Sequence, residues 1–206
     1  MSLNFKNRIM QMVCCLALPF LYGQELDEGF ESDIFGQIGF CYVVPVAHGN
    51  NFLSEGYILD NGFTIDAFVL IDHNWFAGGQ VSHFKGEVTN VAAVGAIDMS
   101  GVTHLHAVGG YSFINTGTNR IFLEMAIGIG YTYYVHKKEF KIFADYGFSL
   151  ATTLSSSYRI TKNIGVYLKL DSYWDFLGVT TAPELENFFG RTQIFAPSIG
   201  IKLYTF

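Results

Sequence analysis

The sequence predicts an all-β protein, an eight-stranded antiparallel up-and-down transmembrane β-barrel that is preceded by a cleaved signal peptide. Three observations predict this fold class. First, the chain of 206 residues is 50% apolar and 17% aromatic but only 15% charged, whereas about 25% of residues are charged in an average soluble domain. Second, apolar residues recur with a period of two. Third, short and long connections alternate between the segments with that period.

The composition also excludes several classes of protein. A chain this apolar buries enough surface to fold, so an intrinsically disordered protein is excluded. The net charge of −6 argues against nucleic acid as a partner, because such proteins carry basic surfaces. No stretch reaches 18 uninterrupted apolar residues, so a bundle of transmembrane helices is excluded. The length is typical of one domain.

The first segment, residues 1–23, is typical of a secretory signal peptide. Lys6 and Arg8 supply its positive charge, and the apolar stretch 9–21 follows them. The alternative is a buried N-terminal helix. We expect residues 24–33 to be an acidic periplasmic lead-in and residues 34–206 to form the barrel domain.

Cysteine use is consistent with this division. Cys14 and Cys15 lie in the signal peptide, so Cys41 is the one cysteine expected in the mature chain. One cysteine cannot form an intramolecular disulfide, and a disulfide-stapled secreted module is therefore excluded.

Eight segments after the signal peptide alternate between an apolar face and a face of small, polar or charged residues. The clearest is segment 140–160, where every even residue from Ile142 to Leu150 is apolar. A tilted strand crosses a bilayer with about 9–11 residues, which these segments reach. In chain order the predicted strands are residues 34–44, 63–71, 75–84, 105–113, 121–133, 140–160, 164–174 and 193–206.

The connections between these strands alternate in length. Short turns are predicted at residues 72–74, 115–119 and 161–163, where Asn and Gly are suited to tight turns. Longer loops are predicted at residues 47–61, 85–102 and 176–192, and only the connection at 135–139 departs from the alternation. Periplasmic turns and longer extracellular loops are typical of outer-membrane barrels.

The less apolar face decides between a membrane barrel and a soluble one. It carries mainly Gly, Ala, Ser and Thr with isolated charges, which suits a narrow lumen better than a water-exposed surface. On the apolar face, Trp75, Tyr131, Tyr133 and Trp174 lie near strand ends, where aromatic girdles meet the membrane interfaces. A two-layer secreted sandwich is the alternative.

Residues 33–206 resemble the small eight-stranded outer-membrane barrels of the OmpA/OmpX type from Gram-negative bacteria. The resemblance depends on the strand pattern, the alternating connections, the turn at 158–164 and the terminal Phe206. It implies no catalytic signature. It also implies that Phe206 is read by the barrel-assembly machinery, as a terminal aromatic is in that family.

The last strand leaves one question of register open. Strict alternation places Ile199, Ile201 and Leu203 on one face, and Tyr204 and Phe206 on the other. Either a bulge intervenes, or the last residue lies beyond the regular strand.

Charged residues on the less apolar face are predicted to form a structural ion network inside the barrel. Charges are tolerated in such an interior when they are paired and hydrogen-bonded. We expect the basic side chains to reach acids on adjacent strands, and the network to plug the lumen rather than to form a path for small solutes. The predicted set is Asp66, Glu124, Lys141, Asp145, Arg159, Lys169 and Asp171.

Two further patterns were weighed for chemistry. His104 and His106 lie two apart on one strand and could offer two nitrogens to a metal, with Cys41 as a third ligand. The simpler reading is that Gly128 and Gly130 leave room for their rings. Nothing in the sequence brings these residues together, so we predict no metal and no cofactor.

Ser82 and His83 could be a nucleophile and its base, but adjacent strand residues point to opposite faces. The chain also lacks the His-x-Ser-Asn pattern of lipid A deacylases. We therefore predict that the protein is not an enzyme. The expected function is that of an integral outer-membrane barrel with a structural or loop-mediated role. Its expected partners are outer-membrane lipids, and the sequence does not identify a loop ligand. The alternatives are a narrow porin-like pore and a lipid-modifying enzyme.

Overall fold

The computed structural model describes residues 34–71, 74–95, 97–113, 120–138 and 141–206. The predicted signal peptide and lead-in, residues 1–33, lie outside the described residues, as do most of the predicted turns at 72–74 and 115–119. None of the helices among the described residues is long and apolar enough to span a membrane.

Antiparallel strands make up most of the described chain. They are β1 (Gly36–Val43), β2 (Val46–His48), β3 (Tyr57–Leu59), β4 (Gly62–Leu70), β5 (Trp75–Val88), β6 (Met99–Ser112), β7 (Ile121–Lys138), β8 (Lys141–Arg159), β9 (Ile164–Leu177) and β10 (Arg191–Thr205). The helical segments are short: α1 (Phe52–Gly56), α2 (Val91–Val94), a 3₁₀ turn (Pro183–Leu185) and α3 (Glu186–Gly190).

The sheet closes on itself, because β1 pairs with β4 on one side and with β10 on the other. The wall runs β1-β4-β5-β6-β7-β8-β9-β10 and back to β1, with every pairing antiparallel. The short strands β2 and β3 add to β10 and β5 at one end of the wall. The predicted eight-stranded antiparallel barrel is therefore confirmed.

The strands extend further than the sequence pattern predicts. β5 runs to Val88 and β6 begins at Met99, so much of the predicted loop 85–102 is paired strand. The alternation of apolar and polar residues ends at residue 84, because the next outward positions are occupied by the charged residues Lys85 and Glu87. Backbone pairing continues whatever the polarity of the outward side chains. The predicted loop 47–61 likewise contains β2, α1 and β3.

The two ends of the barrel differ. The chain termini of the barrel and the turn after β8 lie at one end, which we call the turn end. The other, the loop end, carries α1, α2 and α3. Asn51 caps α1 with hydrogen bonds from the backbone N–H groups of Leu53 and Ser54. Leu53 is fully buried there, so α1 packs into the mouth of the barrel.

The outer surface of the wall is apolar. On β7 alone, the outward side chains Met125, Ile127, Ile129, Tyr131 and Tyr133 are all exposed, Ile127 by 65% and Tyr131 by 70%. The inward side chains of the same strand, such as Glu124, are buried. The polarity of the molecule is thus inverted relative to a soluble domain.

The register of the last strand is regular. Tyr204 points inward and is buried, while Ile199, Ile201 and Leu203 are exposed on the outer surface. β10 ends at Thr205 and pairs with β1 and β9 without an inserted residue. Phe206 therefore lies beyond the regular strand, and no bulge is needed.

Candidate functional site: the polar barrel interior

The inward side chains form three layers of polar groups between the turn end and the loop end. Each layer combines inward side chains from several strands, including strands on opposite sides of the lumen. We call these layers the turn-end, central and loop-end clusters, and each surrounds at least one buried carboxylate.

The turn-end cluster surrounds Glu124 on β7. Lys202 on β10 places its Nζ 2.6 Å from Glu124 Oε2. Gln37 Nε2 donates to Glu124 Oε1 at 3.0 Å, and Ser155 Oγ donates to Oε2 at 3.0 Å. Both carboxylate oxygens therefore have partners, as a buried charge requires.

Arg159 lies below this cluster, towards the turn end, and is fully buried. Its guanidinium carbon is 5.7 Å from the ring centre of Phe122 and 5.9 Å from that of Tyr204. Both distances are within the range of cation–π attraction. Phe122 and Tyr204 are also buried, so three large side chains pack together near this end of the lumen.

The central cluster joins two carboxylates through one ammonium group. Lys169 Nζ on β9 is 2.8 Å from Asp66 Oδ1 on β4 and 3.1 Å from Asp171 Oδ2. Tyr167 OH donates to Asp66 Oδ2 at 2.9 Å, and Gln80 Nε2 donates to Asp171 Oδ1 at 3.2 Å. Lys169 thus balances more than one acid.

The loop-end cluster is centred on Asp175 of β9. His104 Nε2 lies 3.1 and 3.0 Å from its two oxygens. Ser149 Oγ donates to Oδ1 at 2.6 Å, while Tyr134 OH and Thr192 Oγ1 donate to Oδ2 at 2.7 and 3.1 Å. Asp175 is only 1% exposed, so its carboxylate cannot be solvated by bulk water. Five hydrogen-bond contacts from side chains take the place of that water.

Two of the ion pairs described here cross the lumen, Lys202–Glu124 and Lys169–Asp66, whereas the sequence had predicted pairs between adjacent strands. The contact of Lys169 with Asp171 lies within β9, and His136 and Asp145 pair between the neighbouring strands β7 and β8. β7 and β10 are separated by β8 and β9, and β4 and β9 are separated by β1 and β10. The lumen is narrow enough for Lys169 and Lys202 to span it. Long side chains therefore connect opposite walls of the barrel, whereas backbone hydrogen bonds connect only neighbouring strands.

Most of the predicted site residues lie in these layers. Five of the seven are buried inside the barrel: Asp66, Glu124, Arg159, Lys169 and Asp171. Asp145 lies at the loop end beyond the clusters, where its side chain is 31% exposed and pairs with His136. Lys141 begins β8, and its side chain lies outside the described residues.

Sequence reasoning missed two charged members, Lys202 and Asp175. Lys202 has the same parity as the inward Tyr204, so alternation alone could have found it. Asp175 was missed because the predicted strand stopped at residue 174, whereas β9 continues to Leu177. Extending the strand by one residue of the same parity would have included it.

The candidate metal ligands His104, His106 and Cys41 are all buried, and of the ring nitrogens of the two histidines only Nε2 has a hydrogen-bond partner within the described chain. The rings of His104 and His106 stack 5.7 Å apart, and His106 Nε2 lies 2.9 Å from Ser149 Oγ. Cys41 is a buried free thiol. Among the residues that the structure describes, no group of three or more metal-ligating side chains is assembled.

Ser82 and His83 lie on opposite faces of β5. Ser82 is buried and accepts a hydrogen bond from Thr64 at 3.1 Å. His83 Nδ1 lies 2.9 Å from Thr103 Oγ1 on the other face. The two side chains therefore do not act together.

A cavity of about 10 Å³ lies between the central and turn-end clusters, against Asp66, Glu124, Lys169 and Lys202. This is about the space that one water molecule needs.

The sequence matches no protein-family model and no curated protein. Among solved structures it is similar to Neisserial surface protein A, with 11% identity and a TM-score of 0.56 over 84% of this chain and 98% of that one. It is also similar to the outer membrane protein OprG from Pseudomonas aeruginosa, with 11% identity and a TM-score of 0.54 over 85% and 99% of the two chains. The chain thus has the fold of the small eight-stranded barrels found among outer-membrane proteins.

Proposed function

We propose that the chain is an integral outer-membrane protein whose lumen is closed by its own side chains. Its role is structural or depends on contacts made by the segments at the loop end. In this arrangement the loop end is extracellular. The turn end, where the first and last residues of the barrel domain lie, faces the periplasm.

The inverted polarity of the wall is the observation that carries this proposal. Exposed apolar area costs roughly 25 cal/mol per Å² in water, and soluble monomers rarely expose contiguous apolar patches of more than a few hundred Å². Ile127, Ile129 and Leu105 are each more than half exposed in the middle of the wall. Contact with lipid tails keeps this apolar area away from water and so removes the free-energy cost of exposing it.

Aromatic side chains at both ends of the apolar band support the membrane placement. Trp75 is exposed near the turn end, and Tyr133 and Tyr146, which pair with each other on β7 and β8, are exposed towards the loop end. Trp and Tyr are enriched at membrane interfaces because one part of the ring system is apolar and another is polar. Trp174 lies on the same face but is half-buried.

The clusters support a closed lumen. Eight strands leave an interior just wide enough for side chains to fill, and the three polar clusters supply buried side chains at three levels of this interior. The cavity of about 10 Å³ between them has no room for a hydrated solute. The observations therefore favour a structural network over a permanent pore.

The proposed partner during assembly is the barrel-assembly machinery, with Phe206 as the contact. Phe206 follows the last paired residue of β10 and is 43% exposed. Lys162 Nζ lies 4.8 Å from the centre of its ring. The ring is thus available at the turn end, on the periplasmic side of the proposed orientation.

Fractionation with gel electrophoresis tests the membrane placement. We expect the protein in the outer-membrane fraction, with a mobility that changes when the sample is boiled, because a folded barrel and its unfolded chain migrate differently. Recovery in the soluble periplasmic wash, with no change of mobility on boiling, would contradict the proposal.

Current measurement in planar bilayers tests the closed lumen. We expect only rare, small openings from the purified barrel. A steady, large, ion-selective conductance would overturn the structural plug and favour the pore. A mass shift of lipid A upon expression would favour the lipid-modifying enzyme instead.

A further inference from the structure

A cavity of about 380 Å³ opens at the loop end of the barrel, beside α1. Its volume lies within the range of about 300–1,000 Å³ that small-molecule sites occupy. Residues of α1, β3, β7, β8 and α3 contribute to its lining. None of the three polar clusters contributes a residue to it.

Two groups of aromatic rings line this cavity. In the first group, Phe52 lies 6.1 Å from Tyr57 in an edge-on arrangement and 5.9 Å from Phe189 in a stacked one. In the second group, the rings of His136 and Phe143 stack 5.0 Å apart. Val94, Ile97 and Val179 complete the apolar lining.

One carboxylate, that of Asp145, lines the polar part of the cavity. Asp145 Oδ2 lies 3.2 Å from His136 Nε2. The other ring nitrogen of His136, Nδ1, lies 2.6 Å from Ser100 Oγ, which in turn donates to Tyr57 OH at 2.9 Å. Both nitrogens of the ring are thus held, and the ring fixes the position of Asp145.

The connected side chains of Ser100, His136 and Asp145 do not form a catalytic triad. Ser100 is 1% exposed and is not among the residues that line the cavity. A nucleophile must reach its substrate. Ser100 therefore acts by positioning His136, and the cavity is a binding site rather than an active site.

The charge and the rings together select the ligand. The face of an aromatic ring is negative and attracts cations, and quaternary ammonium groups are bound in aromatic cages for this reason. Asp145 adds a full negative charge beside the rings. Lys138 also lines the cavity, but its side chain is exposed and its flexible stem can turn the ammonium group to water.

We propose that this cavity binds a small organic cation, an amine or quaternary ammonium compound whose apolar body is about one ring in size. The apolar body packs against the aromatic rings that line the cavity, and the cationic group faces Asp145. This site goes beyond the proposed membrane role and does not depend on a closed lumen.

Calorimetric titration of the full barrel in lipid nanodiscs tests the proposal, because nanodiscs avoid a detergent that could occupy the cavity. The probe is benzyltrimethylammonium, and its counterpart of opposite charge is phenylpropionate. We expect the cation to bind at least tenfold more tightly than the anion. Equal affinities, tighter binding of the anion or no binding of either would overturn the proposal.

Two variants locate the site. Asp145→Asn keeps the shape of the side chain but removes its charge, and Phe189→Leu keeps an apolar residue but removes a ring. Each is expected to weaken binding of the cation at least tenfold. The matched control is Asp60→Asn, an exposed acid at the loop end that does not line the cavity, and it should leave binding unchanged.

Fold integrity is checked separately by the change of gel mobility on boiling. Should one of the two variants fail to fold, the other variant and the two probes on the wild-type barrel still decide the outcome. Unchanged affinity in a folded Asp145→Asn barrel would place the cation elsewhere and overturn the site.

Discussion

Lys202 and Glu124 form an ion pair across the barrel, with Nζ and Oε2 2.6 Å apart, although β8 and β9 separate their strands in the wall. Both side chains are almost fully buried. Backbone hydrogen bonds join only neighbouring strands, so this pair adds a contact between opposite walls. Such a pair stabilises the barrel only while both charges are present, because a buried charge without its partner is strongly unfavourable.

The first prediction concerns this pair. Lys202→Met leaves the Glu124 carboxylate buried without a counter-charge, which typically costs about 3–5 kcal/mol. We therefore expect a lower free energy of unfolding, measured by urea titration of the barrel in lipid vesicles. The double variant Glu124→Gln with Lys202→Met removes both charges and should recover most of the loss. A double variant that is less stable than Lys202→Met alone would contradict this pairing.

The second prediction concerns Lys169, which contacts two acids. Lys169→Met should again cost about 3–5 kcal/mol, and the folded band on gels should disappear at a lower temperature. Because Asp66 and Asp171 both lose their counter-charge, Asp66→Asn should restore only part of the stability. Full recovery by that single change would show that Asp171 does not depend on Lys169.

The sequence predicts which side of each strand faces the lumen, but not which residues meet there. Alternation is a local property, so Glu124, Lys169 and Asp171 could be assigned to the interior from their parity alone. Their partners could not be assigned, because Lys202–Glu124 is a contact of 78 residues' separation that depends on barrel width and strand stagger. Neither quantity is encoded in a local pattern.

The loop end was the least predictable part for a related reason. The sequence treats residues 47–61 as one loop, and Asp145 as a member of the lumenal network. Whether Asp145 lies inside the barrel or above it depends on how far β7 and β8 extend past the apolar band. Outward residues there are no longer uniformly apolar, and the alternating signal fades although the backbone ladder continues to Lys138.

The third prediction tests the outer face. Ile127→Arg places a charge at the middle of the apolar band, where it should cost about 2–4 kcal/mol and lower the yield of assembled barrel. Ile142→Arg is the matched control, since Ile142 is also well exposed, by 72%, but lies near the loop-end start of β8. The measurement is the folded fraction on gels. Equal tolerance at both positions would reverse the assignment of a lipid-facing band.

The fourth prediction concerns Gly130 on β7, which pairs with His106 on β6. The sequence suggested that this glycine leaves room for a histidine ring. A Cβ added at Gly130 would instead overlap the backbone oxygen of Leu105 and lie 2.8 Å from the Cα of His106. The adjacent strand itself therefore excludes a side chain, and it cannot retreat without breaking the ladder.

Gly130→Ala should accordingly destabilise the barrel by about 1–3 kcal/mol, as overpacking does, with urea titration in lipid vesicles as the measurement. Gly109 on β6 is the matched control, because no atom lies within 4 Å of an added Cβ there. Both changes add one methyl group to a glycine within a strand and carry the same change in backbone entropy. A difference between them therefore reports the close approach of β6 and β7, and equal stabilities would show that the wall accommodates a methyl group at Gly130.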